Sequence, residues 1–364
     1  MKKVLFLTNI PSPYRVDFFN ELGKYVDLTV IFEKKKSDER DDSWTKKKFI
    51  GFKSVFLKGL KITVNKALCF SVLNYLKDNQ YDEIVCTNFA TPTGMIAVEY
   101  MIRHKIPYWV EGDGGFVAEK KRLRDCIKRR IFKHAKGLFS TSKSLDEYFK
   151  YYGAREKVYR YAFSSMKEQQ ILQNVVSKEE KQKIREELNI QEEFVVISVG
   201  QFIRRKGFDL LIKAAAEFNN KVGFYFIGGI PTDEYLLLQK ELNVNNVHYV
   251  GFKKTEELSR YYQAADVFAF PTREDIWGLV VNEALAYGLP TISTNKCGAA
   301  LEMIQENKNG FVIQSENVSE LVDRIKQLYD MESLTEFSMC ALETAKKYTI
   351  EIMAQNHIDV FCKN

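Results

Sequence analysis

Short apolar runs alternate with longer amphipathic segments along most of the chain. The runs are rich in Val, Ile and Phe and predict buried strands at 3–8, 27–32, 83–87, 107–110, 137–141, 194–199, 222–227, 247–250, 266–270, 290–294 and 310–313. The amphipathic segments carry apolar residues at helical spacing and predict helices at 14–25, 66–79, 143–152, 207–219, 255–264 and 278–287. This alternation predicts the doubly wound α/β class, with parallel sheets covered by helices on both faces.

The alternation is interrupted around residues 164–193, which are polar and contain no apolar run. A chain of 364 residues is long enough for two domains. We therefore predict an N-terminal domain at 1–165, a linker at 166–192 and a C-terminal domain at 193–344. The last segment, 345–364, is expected to be a helix that packs back on the N-terminal domain.

Composition narrows the class of protein. Hydrophobic residues make up 45% and charged residues 28%, as in ordinary globular proteins, and no apolar stretch reaches 18 residues. The first apolar run, 4–7, is too short for a signal peptide, so a cytoplasmic location is expected. Six cysteines without a CxxC pair predict reduced thiols. Four histidines without ligand spacing give no reason to expect a metal or cofactor.

The basic excess is concentrated in one segment. Residues 120–136 hold nine Lys or Arg and one Asp, a charge of +8, whereas the whole chain has +6, so the remainder carries −2. Apolar residues recur in the segment at helical steps, which predicts a cationic amphipathic helix. A solvated surface, a nucleic-acid site and docking on an anionic membrane are the three interpretations, and the absence of a recognition motif disfavours nucleic acid. The membrane-docking candidates are Lys120, Lys121, Arg122, Arg124, Lys128, Arg129 and Arg130.

Ligands of open α/β sheets bind at the carboxyl ends of the strands, so the loops there are informative. Neither GxGxxG nor GxxxxGK[ST] occurs, which disfavours dehydrogenases and P-loop kinases. The strand at 194–199 is followed by VGQFIRRKG, residues 199–207, in which three cations lie between two glycines. Cations beside a helix N-terminus favour an anion, and a plain solvated turn is the alternative.

A second pattern lies at residues 271–294, PTREDIWGLVVNEALAYGLPTIST. Asp275 and Glu283 are eight residues apart, and Gly278 begins an amphipathic helix. Free N–H groups at a helix start favour an anion, and a carboxylate is suited to two adjacent hydroxyls. The alternative is helix capping by Asp275 and a surface ion pair for Glu283.

Together these patterns resemble the retaining nucleotide-sugar glycosyltransferases of family 4. VGQFIRRKG is similar to the VGRLxxxKG of that family, and REDIWGLVVNEALAYGLP to its ExFGLxxxEAxAxGxP. CGAALEMIQENKNGFVI, residues 297–313, is similar to GGxxEIIxxxxNGxLV, and Asp266 matches the usual AD before the donor strand. The chain departs from the family at Gln201, which replaces an arginine, and at Asp275 and Ile276, which replace Glu and Gly.

The resemblance implies the GT-B fold, two Rossmann-like domains facing a central cleft. It implies a UDP- or GDP-sugar donor, with Glu283 on the ribose, Asp275 on the transferred sugar and no metal-bound diphosphate. Lys206 and Asp275 are thereby catalytic candidates. Further donor contacts are expected from Gly200, Arg205, Gly278, Leu279 and Val280.

The N-terminal domain is expected to supply the acceptor side. Its first loop, NIPSPYR, contains two prolines and ends at Arg15, a candidate for a phosphate or acceptor contact or else a surface residue at a helix start. The loop VEGDGGF offers Glu111 and Asp113, catalytic candidates where family 4 often has His. The alternative is that Glu111 and Asp113 only stabilise the turn by hydrogen bonding to nearby backbone.

The resulting hypothesis is a metal-independent retaining hexosyltransferase that acts on a glycan or polyprenyl-diphosphate-linked acceptor. Its pathway is expected to be capsule, O-antigen or exopolysaccharide synthesis, and its location the inner face of the plasma membrane. A nucleotide-sugar epimerase or hydrolase is one alternative, disfavoured by the few histidines. A non-catalytic sugar-nucleotide-binding scaffold, suggested by Gln201 and Asp275, is another.

Overall fold

The computed structural model describes residues 1–35, 48–63, 66–78, 80–117 and 125–363. The chain divides into two compact units. The first unit comprises residues 1–167 and 348–364, and the second unit comprises residues 168–347. Each unit is built around one parallel sheet, in agreement with the predicted α/β class.

The sheet of the first unit has seven parallel strands. The unit also has a separate antiparallel hairpin, formed by β4 and β5. In chain order, the described strands of the unit are β1 Lys3–Thr8, β2 Asp27–Phe32, β3 Lys53–Phe56, β4 Leu60–Thr63, β5 Lys66–Leu68, β6 Glu83–Cys86, β7 Trp109–Glu111, β8 Gly137–Ser140 and β9 Val158–Arg160. The sheet order is β3-β2-β1-β6-β7-β8-β9. Five of the six residues of β1 are buried, as expected of a central strand covered on both faces.

Among the described residues before 152, the first unit has four α-helices: α1 Pro13–Leu22, α2 Pro92–Arg103, α3 Asp125–Lys133 and α4 Lys143–Tyr151. Local sequence explains where they begin. A proline opens α1 and α2, where its missing N–H costs nothing. The hydroxyls of Thr91 and Ser142 cap α2 and α4, each accepting a backbone N–H at 3.1 Å.

The second unit has six parallel strands in the order β12-β11-β10-β13-β14-β15. The strands are β10 Phe194–Val199, β11 Val222–Ile227, β12 Val247–Gly251, β13 Val267–Phe270, β14 Thr291–Thr294 and β15 Gly310–Ile313. The helices are α5 Lys178–Leu188, α6 Phe208–Ala215, α7 Asp233–Glu241, α8 Thr255–Ala264, α9 Leu279–Ala286, α10 Gly298–Met303, α11 Val318–Tyr329 and α12 Thr335–Ala345. All six residues of β10 are buried.

The C-terminal helix, α13 Ile350–Lys363, belongs to the first unit, where it packs against α1. Its buried side includes Met353, Ala354, His357, Val360 and Phe361. The ring of His357 lies 4.9 Å from that of Phe18 on α1 and stacks on Phe139 of β8 at 4.4 Å. The last residues of the chain therefore complete the core of the unit that contains its first residues.

All eleven predicted strands are present, and the prediction of a helix at 66–79 is wrong. That segment forms β5 and then a 3-10 helix at Phe70–Tyr75. Tertiary hydrogen bonds explain the difference, because the backbone of Ala67 and of Cys69 is bound by the hydroxyl of Thr93 at the start of α2. The segment predicted as a linker, 166–192, contains α5, which packs against α8 in the second unit.

Candidate functional site

Two loops meet at the carboxyl edge of the sheet in the second unit. The cationic loop, residues 200–207, follows β10, and the acidic loop, residues 271–278, follows β13, the neighbouring strand. Gly207 has a φ of +72°, and a Cβ there would lie 1.9 Å from the carbonyl oxygen of Pro271. Glycine is therefore required at 207 for the two loops to touch.

The two loops bring opposite charges together. The Nζ of Lys206 donates to Oδ2 of Asp275 at 2.6 Å, and the guanidinium of Arg205 lies 3.5 Å from the same oxygen. The Lys206 and Asp275 side chains are 13% and 15% exposed, so the pair lies at the surface edge of the core. Lys206 also lies over the ring of Phe270, 4.8 Å from its centre. The predicted phosphate-binding cation and the predicted sugar contact are thus direct partners.

The helix α9 starts beside this pair. Gly278 has a φ of +94°, and a Cβ there would lie 2.6 Å from Sγ of Cys297, so only glycine fits without a shift. The first N–H groups of a helix have no partner within the helix and carry a partial positive charge, which here includes those of Leu279 and Val280. The helix start adds to the positive potential of Lys206.

Glu283 lies in the second turn of α9, as predicted. The hydroxyl of Tyr262, on α8, donates to its Oε2 at 3.0 Å. Burial and then the adjacent carboxylate raise the pKa of Tyr262 well above its usual value, so this tyrosine stays a donor. Tyr287 stacks on Tyr262 with ring centres 5.1 Å apart. No local sequence pattern points to Tyr262, because α8 and α9 are separate segments of the chain.

The first unit holds a different group of charges, here called the buried cluster: Arg15, Glu111, Tyr161 and His357. Arg15 is paired with Oε1 of Glu111, and Nε2 of His357 lies 3.1 Å from Oε2. The hydroxyl of Tyr161 lies 3.3 Å from Oε1 of Glu111 and 3.0 Å from the carbonyl oxygen of Gly112, the two acceptors within reach of its single proton. The side chains of Glu111 and His357 are completely buried.

The electrostatics of the buried cluster favour an ionised Glu111. Burial alone would raise the pKa of Glu111, but the Arg15 charge and the hydrogen bond with His357 outweigh it and hold the pKa at about 2. Burial would lower the pKa of Arg15, yet Glu111 raises it above its usual value. Both oxygens of Glu111 have protein partners in the described structure.

The predicted residues of the first unit therefore differ in their surroundings. Arg15 and Glu111 bind each other inside the unit, whereas Asp113, two residues further on, is exposed. Sequence reasoning missed Tyr161 and His357, the other members of the buried cluster. No local pattern points to His357, because it joins the cluster from the opposite end of the chain.

The basic segment is only partly described, since Lys120, Lys121, Arg122 and Arg124 lie outside the described residues. In α3, Arg130 donates to Glu99 of α2 at 2.8 and 3.2 Å. Lys128 lies over the rings of Tyr148 and Tyr152, at 5.0 and 4.3 Å. Part of the positive charge of the basic segment therefore interacts with other residues of the first unit. Among the described residues, no helix is long and apolar enough to cross a membrane.

Comparison with known proteins shows which family the second unit resembles. Residues 180–347 match the family model of the glycosyl transferases group 1. A 41.2 kDa protein in the cps region of Klebsiella pneumoniae is 25% identical over 78% of this chain and 79% of its own length. The capsular polysaccharide biosynthesis glycosyltransferase CapM of Staphylococcus aureus is 29% identical over 40% of each chain. The chain spans about two fifths of the length of several such relatives.

The fold is also that of known structures. The HepE protein of Anabaena, solved in complex with UDP, superimposes with a TM-score of 0.78 over 100% of both chains, at 17% identity. This likeness confirms the predicted GT-B architecture of two Rossmann-like domains. The residues matched by the family model, 180–347, include the cationic loop, the acidic loop and α9. The chain thus has the GT-B fold, and residues 180–347 of its second unit match the glycosyl transferases group 1 family.

Proposed function

We propose that this protein is a retaining glycosyltransferase, of the family 4 type, that moves a sugar from a UDP- or GDP-sugar to a glycan or polyprenyl-diphosphate-linked acceptor. The group 1 domain and the relatives linked to capsule synthesis support transfer in the synthesis of a bacterial surface polysaccharide. UDP in the related Anabaena structure supports a nucleotide-sugar donor.

One observation carries the proposal: Lys206 and Arg205 both approach Asp275 beside the start of α9. A nucleoside diphosphate needs compensation for its charge as the bond to the sugar breaks. Lys206, Arg205 and the N–H groups of Leu279 and Val280 supply positive charge at one place. In this assignment Lys206 leaves Asp275 and binds the diphosphate when the donor is bound, so no metal cation is needed to hold the diphosphate.

The remaining roles follow from position along α9 and the acidic loop. We assign Asp275 to the transferred sugar, because it lies next to the cation that holds the leaving group. We assign Glu283 to the ribose, whose two adjacent hydroxyls can donate to a carboxylate that Tyr262 already orients. The electron pair of the sugar–oxygen bond leaves with the diphosphate, and the acceptor hydroxyl attacks the anomeric carbon and gives its proton to the departing diphosphate oxygen.

In the first unit the structure favours a division of roles between the two carboxylates. Glu111 is buried with both oxygens bonded, so we propose that it holds the loops in place. Asp113 is exposed at the same sheet edge, between two glycines, and we propose it for contact with substrate. Docking of the cationic helix α3 on an anionic bilayer, at the inner face of the plasma membrane, would bring this unit to a lipid-linked acceptor.

A donor panel tests the proposal. Purified protein is incubated with UDP- and GDP-sugars, with and without a bacterial membrane extract as the acceptor source. The proposal predicts consumption of one donor only when extract is present, retention of the anomeric configuration in the product, and unchanged activity in EDTA. Conversion of a donor without extract would indicate an epimerase or hydrolase. No consumption of any donor would contradict the proposal and favour a binding protein.

A further inference from the structure

Arg273, in the acidic loop, contacts three other segments at the same edge of the second unit. Its Nη1 and Nη2 donate to the two carboxylate oxygens of Asp209, on α6, at 2.6 and 2.7 Å. Its Nε and Nη2 donate to Glu316, which follows β15, the second of these bonds at 3.1 Å. Nη1 also donates to the carbonyl of Arg204 at 2.7 Å. One side chain therefore joins the acidic loop to the cationic loop, to α6 and to the loop before α11.

Backbone contacts fasten the same two loops. The carbonyl of Arg205 accepts the N–H of Arg273 at 2.7 Å and the hydroxyl of Thr272 at 2.7 Å. Close contact of Gly207 with Pro271 completes the junction. Thus the carbonyls of the two residues immediately before Lys206 are both bound by the segment 272–273. This junction holds the backbone segment that carries Lys206.

The charge of Arg273 is already neutralised within the protein. Two carboxylates, Asp209 and Glu316, are bonded to one guanidinium. Burial by itself would raise the pKa of Asp209, but Arg273 lowers it below its usual value, which keeps the pair ionised at neutral pH. A guanidinium with a bidentate partner is geometrically fixed, and lysine cannot reproduce its fork. Arg273 is therefore suited to hold the loops and not to bind an anion.

We infer that Arg273 is a positioning residue of the donor site: it fixes the cationic loop so that Lys206 and Arg205 are presented to the donor diphosphate. This inference rests on the proposed function. Misplacement of a charged group by about 1 Å can lower a rate by about a hundredfold, so loss of the junction has a functional effect without any lost substrate contact.

Binding of UDP and of GDP, measured by calorimetry, tests the inference. Arg273→Met is expected to weaken binding of the preferred nucleotide about tenfold, and Arg273→Lys less, because lysine keeps the charge but not the fork. Arg260→Met is the matched control, since Arg260 forms an exposed ion pair with Glu187 in the same unit. The control is expected to bind within about twofold of wild type.

A double variant separates positioning from general stability. If Arg273 acts through the cationic loop, Arg273→Met has little further effect on binding in a protein that already carries Lys206→Ala. Equal losses in both backgrounds, or wild-type binding by Arg273→Met, would overturn the inference. Should thermal unfolding show that Arg273→Met is not folded, Arg273→Lys and Glu316→Gln are compared in its place, by the same criterion. Absence of nucleotide binding by the wild type would contradict the proposed function itself and the inference with it.

Discussion

The two units place an ion pair at the carboxyl edge of each sheet, and the pairs differ in burial. Glu111 and Arg15 are 0% and 6% exposed, and tyrosine and histidine partners surround the carboxylate. Lys206 and Asp275 are 13% and 15% exposed, beside a helix start. Removing one member of a buried pair leaves an unpaired charge in the core. In a pair at the surface edge, one member can instead exchange its protein partner for a ligand.

The same chemical pairing therefore serves two purposes. In the first unit it fastens α1, β7 and α13 to one another, because Arg15, Glu111 and His357 come from these three elements. In the second unit it keeps two cations in place at the proposed donor site. The comparison predicts that variants of the first pair change stability, and variants of the second change turnover.

Loss of the Glu111 charge is expected to have the largest effect on stability. Glu111→Gln leaves Arg15 buried without a counter-charge, and we expect the free energy of unfolding to fall by about 3 to 5 kcal/mol. Asp146→Asn is the control, since Asp146 forms a more exposed pair with Arg160 and should cost less than about 1 kcal/mol. Urea unfolding of the three proteins measures both values. Equal, small effects would show that the buried cluster is not structural.

Loss of the Lys206 charge is expected to have the largest effect on turnover. Lys206→Ala removes a cation that compensates the leaving diphosphate, so transfer should fall by about a hundredfold to a thousandfold, with unfolding almost unchanged. Lys213→Ala, at an exposed position on α6, is the control and should behave as wild type. Initial rates with the donor identified by the panel provide the test. A rate near that of wild type in Lys206→Ala would reject the assignment of this residue.

Acid should weaken the buried cluster. The pKa of Glu111 is about 2 in the folded protein, against a usual value of 4.5, so the folded state binds fewer protons than the unfolded state. Its contribution to stability is therefore complete above about pH 4.5 and is lost as the pH falls toward 2. The full loss corresponds to about 3 kcal/mol. Urea unfolding between pH 6 and pH 3 should show a steeper decline in wild type than in Glu111→Gln, and parallel declines would contradict the account.

Loss of the Asp275 charge should lower turnover without weakening the binding of UDP or GDP. Asp275→Asn removes a contact to the transferred sugar, and we expect turnover to fall by about tenfold or more. The variant also frees Lys206 from its carboxylate partner, so UDP or GDP should bind at least as tightly as in wild type. Steady-state rates and calorimetry give the two values. Parallel losses would show that Asp275 supports the nucleotide or the loop instead.

The smallest expected effect concerns the membrane. Reversal of charge at Lys128, Arg129 and Arg130 should weaken binding to anionic vesicles, each residue contributing about 1 kcal/mol or less. The intramolecular contacts of Lys128 and Arg130 reduce the effect below that of three free cations. Co-sedimentation with anionic and neutral vesicles, at low and high salt, measures it. Equal binding to both vesicle types, or none, would leave α3 as a solvated surface.

The strands and the loops of the second unit were predictable because their signals are local. Most of its strands contain a short apolar run, and the cationic loop and the acidic loop lie directly after two of these strands, β10 and β13. Asp275 lies just before α9 and Glu283 in its second turn, as their spacing predicts. Asp266 was predicted only as a motif position before the donor strand, and its contacts were not. In the structure it has a structural role: it accepts the N–H of Val195 at 2.8 Å and pairs with Arg185 on α5.

The buried cluster was not predictable, since its members are far apart in the chain. His357 is 246 residues from Glu111, and only the packing of α13 on α1 brings them together. Arg15 and Glu111 were each expected to meet a ligand, and no feature of the sequence shows that they meet each other. The contacts of Arg273 with Asp209 and Glu316 have the same origin, because two loops and the start of α6 share one sheet edge.

A structure of the protein with UDP or GDP bound would show whether the carboxyl edge of the second unit is the donor site. We expect Nζ of Lys206 to leave Asp275 and lie within about 3.2 Å of a diphosphate oxygen, and the carboxylate of Glu283 to contact the ribose. We also expect the pair of Arg15 and Glu111 to be unchanged. A nucleotide bound elsewhere, with Lys206 still on Asp275, would contradict the assignment of the second unit's edge as the donor site.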